Sequence, residues 1–322
     1  DGADVNGGSL VESRSLNGSP LWYASMYGNI DVVRLLLDYG ANLEDKVVSD
    51  KTVLMVASMN GHHKIVDILL QNHHEYSNNS QSKSSRSKGD VSQKNTTKII
   101  DEVENGTGLT ALIYASMSGH TNVVEYLLRN EANINQYDIG GKTAFWWASR
   151  YGHTPIVEIF LEHNADGLHN NFANHWGNNP LVIASFYGHD KVVEKMLQKK
   201  GSASTLLQYF TNLPWSPLLI ASERGHDRVV QLLLQYGDDD DVDSSYDLYG
   251  ATSLMLASKR GELKVVQTLL RHGANLQHCD DMCQSAMSIA RKRNQMEVYR
   301  LLRITQLEQK QTKGKQKYEQ YE

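Results

Sequence analysis

The stretch TALIYASMSGHTNVVEYLLRNEANINQYDIGGK, residues 110–142, decides the fold, because variants of it recur from near the start of the chain almost to its end. Leu112 and Ala115 lie three residues apart ahead of Gly119. After the glycine, four apolar residues are spaced as one face of a 3.6-residue helix, namely Val123, Val124, Leu127 and Leu128. The stretch therefore predicts two short helices, one on each side of Gly119.

Single residues predict where both helices begin and end. Gly119 lies where the first helix should end, since glycine takes the left-handed conformation of a C-terminal cap without steric cost. Thr121 is a good N-cap for the second helix. A sister stretch places Thr154 as this cap and Pro155 at the first helical position, where proline is favoured. Residues 131–141 are polar and rich in Gly and Asn, which predicts a turn or short hairpin.

Eight copies of this unit align on the alanine of the first helix. The alanines are Ala24, Ala57, Ala115, Ala148, Ala184, Ala221, Ala257 and Ala290. Their successive spacings are 33, 58, 33, 36, 37, 36 and 33 residues, so one long insertion interrupts an otherwise regular period. A glycine follows four residues after each alanine except in the last copy, which has Asn294. The chain is therefore predicted to be a stack of repeats rather than one large globular core.

A period of 33 residues with a turn and two helices resembles the ankyrin-repeat family. The family motif T-P-L-H-x-A appears here as SPLWYA (19–24), TVLMVA (52–57), TALIYA (110–115), TAFWWA (143–148), NPLVIA (179–184), SPLLIA (216–221), TSLMLA (252–257) and SAMSIA (285–290). The resemblance implies an all-α ankyrin-repeat solenoid of about eight helix-turn-helix repeats with short hairpin or turn connections. No copy keeps the motif histidine, which implies the loss of a side-chain hydrogen bond to the turn that is usual in the family.

The repeats also predict how the chain is divided. We expect a remnant of a preceding repeat and a linker at 1–15, ankyrin repeats 1 and 2 at 16–74, a disordered insertion at 75–105, repeats 3 to 7 at 106–278, a C-terminal capping repeat at 279–306 and a charged tail at 307–322. The first residues, DGADVN, match the closing segment YGANLED (39–45), and the chain does not begin with Met. We therefore expect a fragment of a longer protein that starts within a repeat.

Two of these segments have alternative interpretations. The insertion is rich in Ser, Asn, Lys and Gln, which bury too little apolar surface to offset chain ordering. It is either a phosphorylatable or partner-binding arm around SKSSRSK (82–88) or a solvated loop that the stack tolerates. The tail is either a fraying helix or a disordered extension.

Charge, cysteine content and hydropathy exclude several classes of function. The chain has 322 residues and a formal net charge of −5, so it has no electrostatic footprint for nucleic acid. No run of 18 or more apolar residues occurs, so we expect no membrane insertion. Two cysteines, Cys279 and Cys283, fit a reducing compartment. We expect a monomer in the cytoplasm, with the nucleus as an alternative location.

The sequence contains no constellation that predicts catalysis, a metal site or a cofactor. Five histidines directly follow the repeat glycine and are predicted to hydrogen-bond between helices: His62, His120, His153, His189 and His226. A denser group matches no zinc signature: His272, His278, Cys279 and Cys283. G-x-S-x-G, H-E-x-x-H and phosphate-binding glycine loops are missing from the sequence. We therefore expect a protein that is not an enzyme and needs no cofactor.

The resemblance implies a partner-binding concave face, formed by the residues just before each repeat glycine and by the turns ahead of each first helix. Carried onto this sequence, the predicted set is Tyr27, Arg150, Tyr151, Trp176, Phe186, Tyr187, Trp215, Arg224, Tyr249 and Arg260. Five aromatic residues are the expected anchors, namely Tyr151, Trp176, Phe186, Tyr187 and Trp215, because aromatic side chains bury large areas at interfaces. Arg150, Arg224 and Arg260 would steer an acidic or mixed segment. The alternative is that these aromatic rings pack between neighbouring repeats.

The predicted function is that of a scaffold or adaptor that binds another protein through this face. The alternative is that the chain is the recognition part of a larger enzyme, channel or ubiquitin-ligase adaptor whose active part lies outside these residues. Both hypotheses require a binding surface, and neither identifies the partner.

Overall fold

The structure is a computed structural model that describes residues 5–6, 18–43, 50–83, 99–163, 179–199, 216–237, 242–243 and 248–319. The chain forms two compact units, Asp1–Gly167 and Leu168–Glu322. Within the described residues each unit is built from helices alone, so the predicted all-α class is confirmed.

In its described residues the first unit contains four helix pairs. They are α1 (Pro20–Tyr27) with α2 (Ile30–Asp38), α3 (Val53–Met59) with α4 (His63–Lys83), α5 (Ala111–Ser118) with α6 (Thr121–Arg129), and α7 (Ala144–Tyr151) with α8 (Thr154–Glu162). A short 3₁₀ helix, Ile99–Asp101, precedes α5. The first helices of the pairs pack side by side in the order α1, α3, α5 and α7, and the second helices form a parallel layer of α2, α4, α6 and α8. This layering is that of a solenoid, in which each repeat contacts its neighbours.

The second unit repeats the same arrangement. Its helices are α9 (Pro180–Tyr187), α10 (Asp190–Gln198), α11 (Pro217–Arg224), α12 (Asp227–Tyr236), α13 (Ser253–Arg260), α14 (Leu263–Arg271), α15 (Ala286–Lys292) and α16 (Met296–Glu319). The odd-numbered helices α9 to α15 pack in one layer and the even-numbered helices α10 to α16 pack in the other. Isolated antiparallel bridges join Tyr137 to Thr143 in the first unit and Cys279 to Ser285 in the second, which confirms short hairpin turns at these two places.

The first helix of each pair is capped by the residue that opens its motif. The side-chain oxygens of these Ser, Thr and Asn residues accept a hydrogen bond from the backbone N–H three residues later, at 3.1 to 3.4 Å. The C-terminal cap is the predicted one: Gly119 has a φ of +80° and closes α5 in the left-handed conformation. Asn294 takes the same conformation, with a φ of +60°, at the place where the last copy lacks glycine.

The predicted N-caps of the second helices are wrong by one residue. Thr121 and Thr154 are the first residues of α6 and α8, and the cap positions are His120 and His153. Neither histidine ring bonds to its own helix. The rings reach the preceding repeat instead, where His120 Nε2 lies 3.0 Å from the Met59 carbonyl and His153 Nε2 lies 3.1 Å from the Met117 carbonyl. The predicted hydrogen bonds between helices are therefore confirmed for these residues.

Small and branched apolar residues fill the space between the two layers. The motif alanines from Ala57 onward are fully buried and let the first helices approach closely. In most second helices two adjacent apolar residues, such as Val123 and Val124, are also buried, whereas α2 buries Val33 and leaves Val32 exposed. In the first unit Phe145 and Phe160 add the largest side chains, with ring centroids 5.7 Å apart.

The predicted disordered insertion at 75–105 is too long at both ends. Helix α4 continues to Lys83, and the structure describes the chain again from Ile99. Ile99 and Ile100 are buried and pack against α4 and α5, because two apolar residues in a polar stretch gain more from burial than from hydration. Most of the arm around 82–88 lies outside the described residues. Of the two alternatives for the tail, the structure has the helical one, since α16 extends to Glu319.

Candidate protein-binding surfaces

The residues just before the repeat glycines lie at the C-terminal ends of the first helices. The serine two residues ahead of each of them is buried, and the helical turn directs the next positions outward. Three of the predicted site residues share this place and are exposed to different degrees: Tyr27 by 73%, Tyr151 by 47% and Tyr187 by 39%. Each of these three tyrosines is therefore partly open to solvent, and Tyr187 also contacts the rings of Phe186 and His189 in its own repeat.

In the first unit, α7 and the turn before it form an aromatic and basic cluster of Lys142, Trp146, Trp147, Arg150 and Tyr151, here called the Trp147 cluster. Trp146 is buried and meets Trp147 edge-to-face at a centroid distance of 4.9 Å, whereas Tyr151 stacks on Trp147 at 6.0 Å. Lys142 Nζ lies 4.8 Å from the Trp146 ring, and the Arg150 guanidinium lies 5.8 Å from the Tyr151 ring. Cation–π attraction and stacking therefore hold the rings in place before any partner arrives.

A hydrogen bond to the preceding turn fixes the Trp147 cluster further. Trp147 Nε1 donates to Asp138 Oδ2 at 3.0 Å, and the other oxygen of this carboxylate accepts from the backbone N–H groups of Gly140 and Lys142. In the preceding repeat the hydroxyl of Tyr114 donates to Glu104 at 2.8 Å in the same way. The motif histidine is missing, but in these two repeats the next residue of the motif supplies a side-chain hydrogen bond to the turn. The predicted loss of that interaction is therefore wrong for them.

Glu104 is buried and accepts three hydrogen bonds, from Lys51 Nζ at 2.6 Å, from the Thr107 hydroxyl and from Tyr114. Burial alone would raise the pKa of Glu104, but the three hydrogen bonds and the charge of Lys51 together lower that pKa below its ordinary value. Burial and the neighbouring carboxylate raise the pKa of Tyr114 well above its ordinary value. Glu104 is therefore ionised at neutral pH and Tyr114 is a hydrogen-bond donor. The arrangement orders the turn and offers no poised acid or base.

The first repeat carries a smaller aromatic group. Trp22 meets Tyr23 edge-to-face at 5.2 Å, and Tyr27 stacks on Tyr23 with 6.4 Å between centroids. Tyr27 and Tyr151 each stack on the aromatic residue four positions earlier. One helical turn separates residues at this spacing, so the same motif positions generate the same pair in both repeats.

In the second unit, the predicted residues of α9, α11 and α13 lie close together. The Arg224 guanidinium stacks 3.8 Å from the centroid of Phe186, and the Phe186 ring meets Tyr187 at 5.0 Å. Phe186 is half-buried under this arginine, so it packs between repeats as the alternative interpretation required. Arg260 forms an ion pair with Glu223 at 2.6 Å. Its charge is therefore partly neutralised within the chain, which weakens the predicted steering role of Arg260.

A cleft lies between the repeats of α13 and α15, and most of its lining was not predicted from the sequence. This cleft, here called the α13–α15 cleft, has a volume of about 230 Å³. Eleven residues line it: Tyr249, Ala251, Met255, Leu256, Lys259, Asp280, Met282, Gln284, Ile289, Lys292 and Arg293. Only Tyr249 was predicted. Tyr249 lies three residues before Thr252, and Met282 lies three residues before Ser285 at the equivalent position of the next repeat. The alignment of the repeats could therefore have identified Met282 as a second residue of this surface.

Two predicted anchors, Trp176 and Trp215, lie outside the described residues. Within the described part of the chain no group of three or more His, Cys, Asp and Glu side chains could hold a metal ion. Cys279 and Cys283 are free and exposed, while His278 Nε2 lies 3.2 Å from the carbonyl of Gly250. The group of histidines and cysteines at the eighth repeat is thus a set of turn residues.

Comparison with known proteins identifies the repeat. The family model of ankyrin repeats, which spans three copies, matches residues 4–82, 90–171, 137–208, 181–280 and 218–313. The chain belongs to the ankyrin-repeat family. Its helix pairs, hairpin turns and glycine caps are therefore those of ankyrin repeats, and the resemblance drawn from the motifs is confirmed.

A solved structure supports the same assignment of fold. The crystal structure of the human ASB11 ankyrin repeat domain matches with a TM-score of 0.50 and 20% sequence identity, over 88% of this chain and 97% of that chain. At this identity the similarity concerns the ankyrin fold alone. Among curated protein sequences, none matches this chain. In the residues that the structure describes, no helix has both the length and the apolar character needed to cross a membrane.

Proposed function

We propose that this chain is a scaffold or adaptor that binds another protein non-covalently through the ends of its first helices and the turns before them. Ankyrin repeats are in general modules of protein–protein interaction, and this is the starting point of the proposal. The observation that carries it is the exposure of Tyr27, Tyr151 and Tyr187 at one repeat position. Aromatic side chains that recur in one exposed register suit a partner-binding role, because tyrosine buries a large area at an interface and still offers a hydrogen bond.

The surroundings of these tyrosines suit a binding role. Tyr, Trp and Arg carry most of the free energy at protein interfaces, and the Trp147 cluster combines all three. Stacking on Trp147 and the nearby guanidinium of Arg150 restrict Tyr151 before binding. Binding then loses little side-chain entropy, so more of the contact energy appears as affinity.

The test compares the intact chain with a variant that carries Tyr151→Ala and Tyr187→Ala. Crosslinking pull-down from a lysate of the source cells, read by mass spectrometry, should show a specific partner whose recovery falls at least about tenfold with the variant. The melting temperature should change little, because both rings are substantially exposed and their removal leaves no cavity.

Tyr39→Ala is the matched control, since Tyr39 is an exposed tyrosine at the end of α2 and away from the proposed surfaces. It should leave recovery unchanged. Equal recovery of the partner by the intact chain and the double variant would contradict the proposal. A large drop in melting temperature would show instead that the two rings belong to the core.

The remaining parts of the proposal concern chemistry and location. We infer that the chain acts by binding and not by catalysis, without a cofactor, as a monomer. We also place it in the cytoplasm, because the free and exposed thiols of Cys279 and Cys283 persist best in a reducing compartment. Sedimentation at several concentrations tests the monomer, and imaging of the tagged chain in its own cells tests the location.

A further inference from the structure

The α13–α15 cleft differs from the tyrosine surfaces because it is a concave site with an apolar floor. Met255, Leu256 and Ile289 form the floor and are buried in the repeat core. Tyr249 and Met282 stand on the two turns at the rim and are 68% and 72% exposed. Such a rim leaves apolar surface in water, and methionine adapts readily to different apolar partners.

The size of the cleft limits what it can hold. Pockets for drug-sized ligands have volumes of roughly 300–1,000 Å³, whereas this cleft has about 230 Å³. A single apolar side chain fits such a space. Tyr249 and Met282 at the rim are exposed, so a chain segment can present this side chain to the cleft from solvent.

The charges around the cleft favour an acidic occupant. Three basic side chains line it, Lys259 from α13 and Lys292 and Arg293 from the end of α15. Within the described residues none of the three forms an ion pair. The lining includes one carboxylate, Asp280, whose Oδ1 already accepts hydrogen bonds from the backbone N–H groups of Met282 at 3.0 Å and Gln284 at 2.8 Å. The chain as a whole carries a net charge of −5, so this basic site contrasts with the average of the molecule.

The positions of the basic side chains also restrict the spacing of the acidic residues in a bound segment. Lys259 belongs to one helix and Lys292 to its neighbour, and packed helix axes lie about 8–10 Å apart. Side chains of an extended chain alternate between its two faces, and the chain advances about 3.3 Å per residue. Carboxylates two residues before and two residues after the apolar side chain therefore lie on its face, and the long side chains of Lys259 and Lys292 can reach them from the two helices.

We infer that the α13–α15 cleft binds an extended acidic segment of a partner protein, with one apolar side chain of that segment between Tyr249 and Met282 and its carboxylates against Lys259, Lys292 and Arg293. This inference rests on the proposed binding function and names the chemistry of one partner segment. A second copy of this chain is the competing occupant.

The probe is a fluorescent nine-residue peptide with a central leucine, one glutamate two residues before it, one glutamate two residues after it, and serine and glycine elsewhere. Fluorescence anisotropy with the full 322-residue chain measures its binding. Binding should weaken at least about tenfold with Lys292→Glu and Arg293→Glu together, and by a similar factor when serine replaces the leucine. It should also weaken from 50 to 500 mM salt, because exposed charge pairs are screened.

A matched variant separates a local effect from one of net charge. Lys264→Glu with Arg271→Glu makes the same change in charge on α14, where both side chains are exposed and neither lines the cleft. Binding of the peptide should remain within about twofold of that of the unmodified chain. Circular dichroism melting of both variants confirms that each is folded.

Three results would overturn the inference. The first is no binding up to about 1 mM peptide, and the second is equal binding of the leucine and serine peptides, which would indicate charge attraction alone. The third is a concentration-dependent dimer in sedimentation that Met282→Ser abolishes, which would make a second copy the occupant. If Tyr151→Ala with Tyr187→Ala still removes the cellular partner in any of these cases, the proposed function stands and only the inference fails.

Discussion

Glu104 shows how one carboxylate holds a repeat turn against its neighbours. Its oxygens accept hydrogen bonds from Lys51, Thr107 and Tyr114, which come from three separate segments of the first unit. Removing a carboxylate from water is costly unless it is paired and hydrogen-bonded. The three partners together offset the cost of burying this charge, and the loss of the charge should affect each of them.

Glu104→Gln should lower the free energy of unfolding by about 2 kcal/mol, because Lys51 would lose its ion pair and Tyr114 its charged acceptor. Urea unfolding followed by circular dichroism at pH 7 measures the change. Glu125→Gln is the control, since Glu125 pairs with Arg129 on an exposed helix surface and should cost less than about 0.5 kcal/mol. Equal effects of the two substitutions would contradict the assigned role of Glu104.

The pKa of Glu104 adds a pH dependence to this prediction. Its pKa in the folded chain is below the ordinary value of 4.5, so the folded state binds this proton more weakly than the unfolded state does. The stabilisation by Glu104 is therefore complete above about pH 4.5 and is lost as the pH falls through the folded pKa. The difference in unfolding free energy between the unmodified chain and Glu104→Gln should shrink between pH 6 and pH 3.5. A difference that stays constant over this range would be contrary evidence.

At the scale of the element, a histidine joins the second helices α4, α6, α8 and α12 to the preceding repeat. His62, His120, His153 and His226 each place Nε2 at 3.0 to 3.1 Å from a carbonyl oxygen one repeat earlier. The His120 ring also covers Gly61, where an added Cβ would lie 2.6 Å from Nδ1. Glycine is therefore favoured at position 61 for two reasons. The backbone has a left-handed φ of +77°, and the His120 ring leaves no space for a side chain.

Two glycine substitutions can separate these requirements. Gly40 has a φ of +80° but nothing within 4 Å of an added Cβ, so Gly40→Ala should cost only the conformational term of about 1–2 kcal/mol. Gly61→Ala should cost about 1–3 kcal/mol more, because the His120 ring must move and give up its bond to Met59. Urea unfolding of both variants measures the difference.

A double substitution checks the cause. Once His120→Ala removes the ring, Gly61→Ala should cost about as much as Gly40→Ala, so the effects of the two changes should be less than additive by at least about 1 kcal/mol. The prediction would be wrong if the changes in unfolding free energy were fully additive, or if Gly40→Ala and Gly61→Ala cost the same in the unmodified chain. Either result would show that the position of the His120 ring does not require glycine at 61.

At the scale of the whole molecule, a stack of repeats is stable only where neighbours cover each helix. Burial along the second helices of the first unit is uneven. Helix α2 buries Val33 alone and leaves Leu35 55% exposed, whereas α6 buries three residues and α8 buries five. Local opening should therefore cost less free energy at α2 than in the later repeats of the same unit.

Hydrogen exchange of the native protein, read by mass spectrometry, tests this gradient. The backbone amides of α2 should exchange at least about tenfold faster than those of α6 and α8, because their opening exposes little additional apolar surface. Helix α1 provides an internal reference, as it is adjacent in sequence and packs against both α2 and α3. Uniform protection across the four helix pairs would mean that the unit opens only as a whole.

Local chemistry explains why much of the fold could be predicted. The glycine after the first helix, which only the last copy lacks, and the apolar pair of the second helix act within a few residues. The sequence of one repeat therefore specifies the local structure of that repeat. The C-terminal cap at Gly119 and the histidine hydrogen bonds followed from this repetition. The cap of α6 was misplaced by one residue, because Thr121 has a suitable side chain but His120 occupies the cap position.

Features that depend on distant neighbours were not predictable. Polar composition concealed the burial of Ile99, and Glu104 lay in the segment predicted to be disordered. Arg260 was expected to meet a partner, but Glu223 of the preceding repeat, 37 residues earlier, takes up its charge. Trp147 donates a hydrogen bond to the turn, although the missing motif histidine predicted that this bond would be lost. Each of these interactions brings together residues from different segments of the chain. Their proximity depends on how the segments pack and could not be predicted from the sequence.

The sequence by itself thus determined the repeat, the helix pairs, the family and the register in which surface residues recur. The tertiary structure decided which residues of that register remain available to a partner. In the folded chain Tyr27, Tyr151 and Tyr187 are exposed, whereas Phe186 is half-buried. Two turns together form the rim of the α13–α15 cleft. The physical reason is that helices and caps form from interactions within about four residues, whereas burial, ion pairing and clefts arise only when separate repeats pack together.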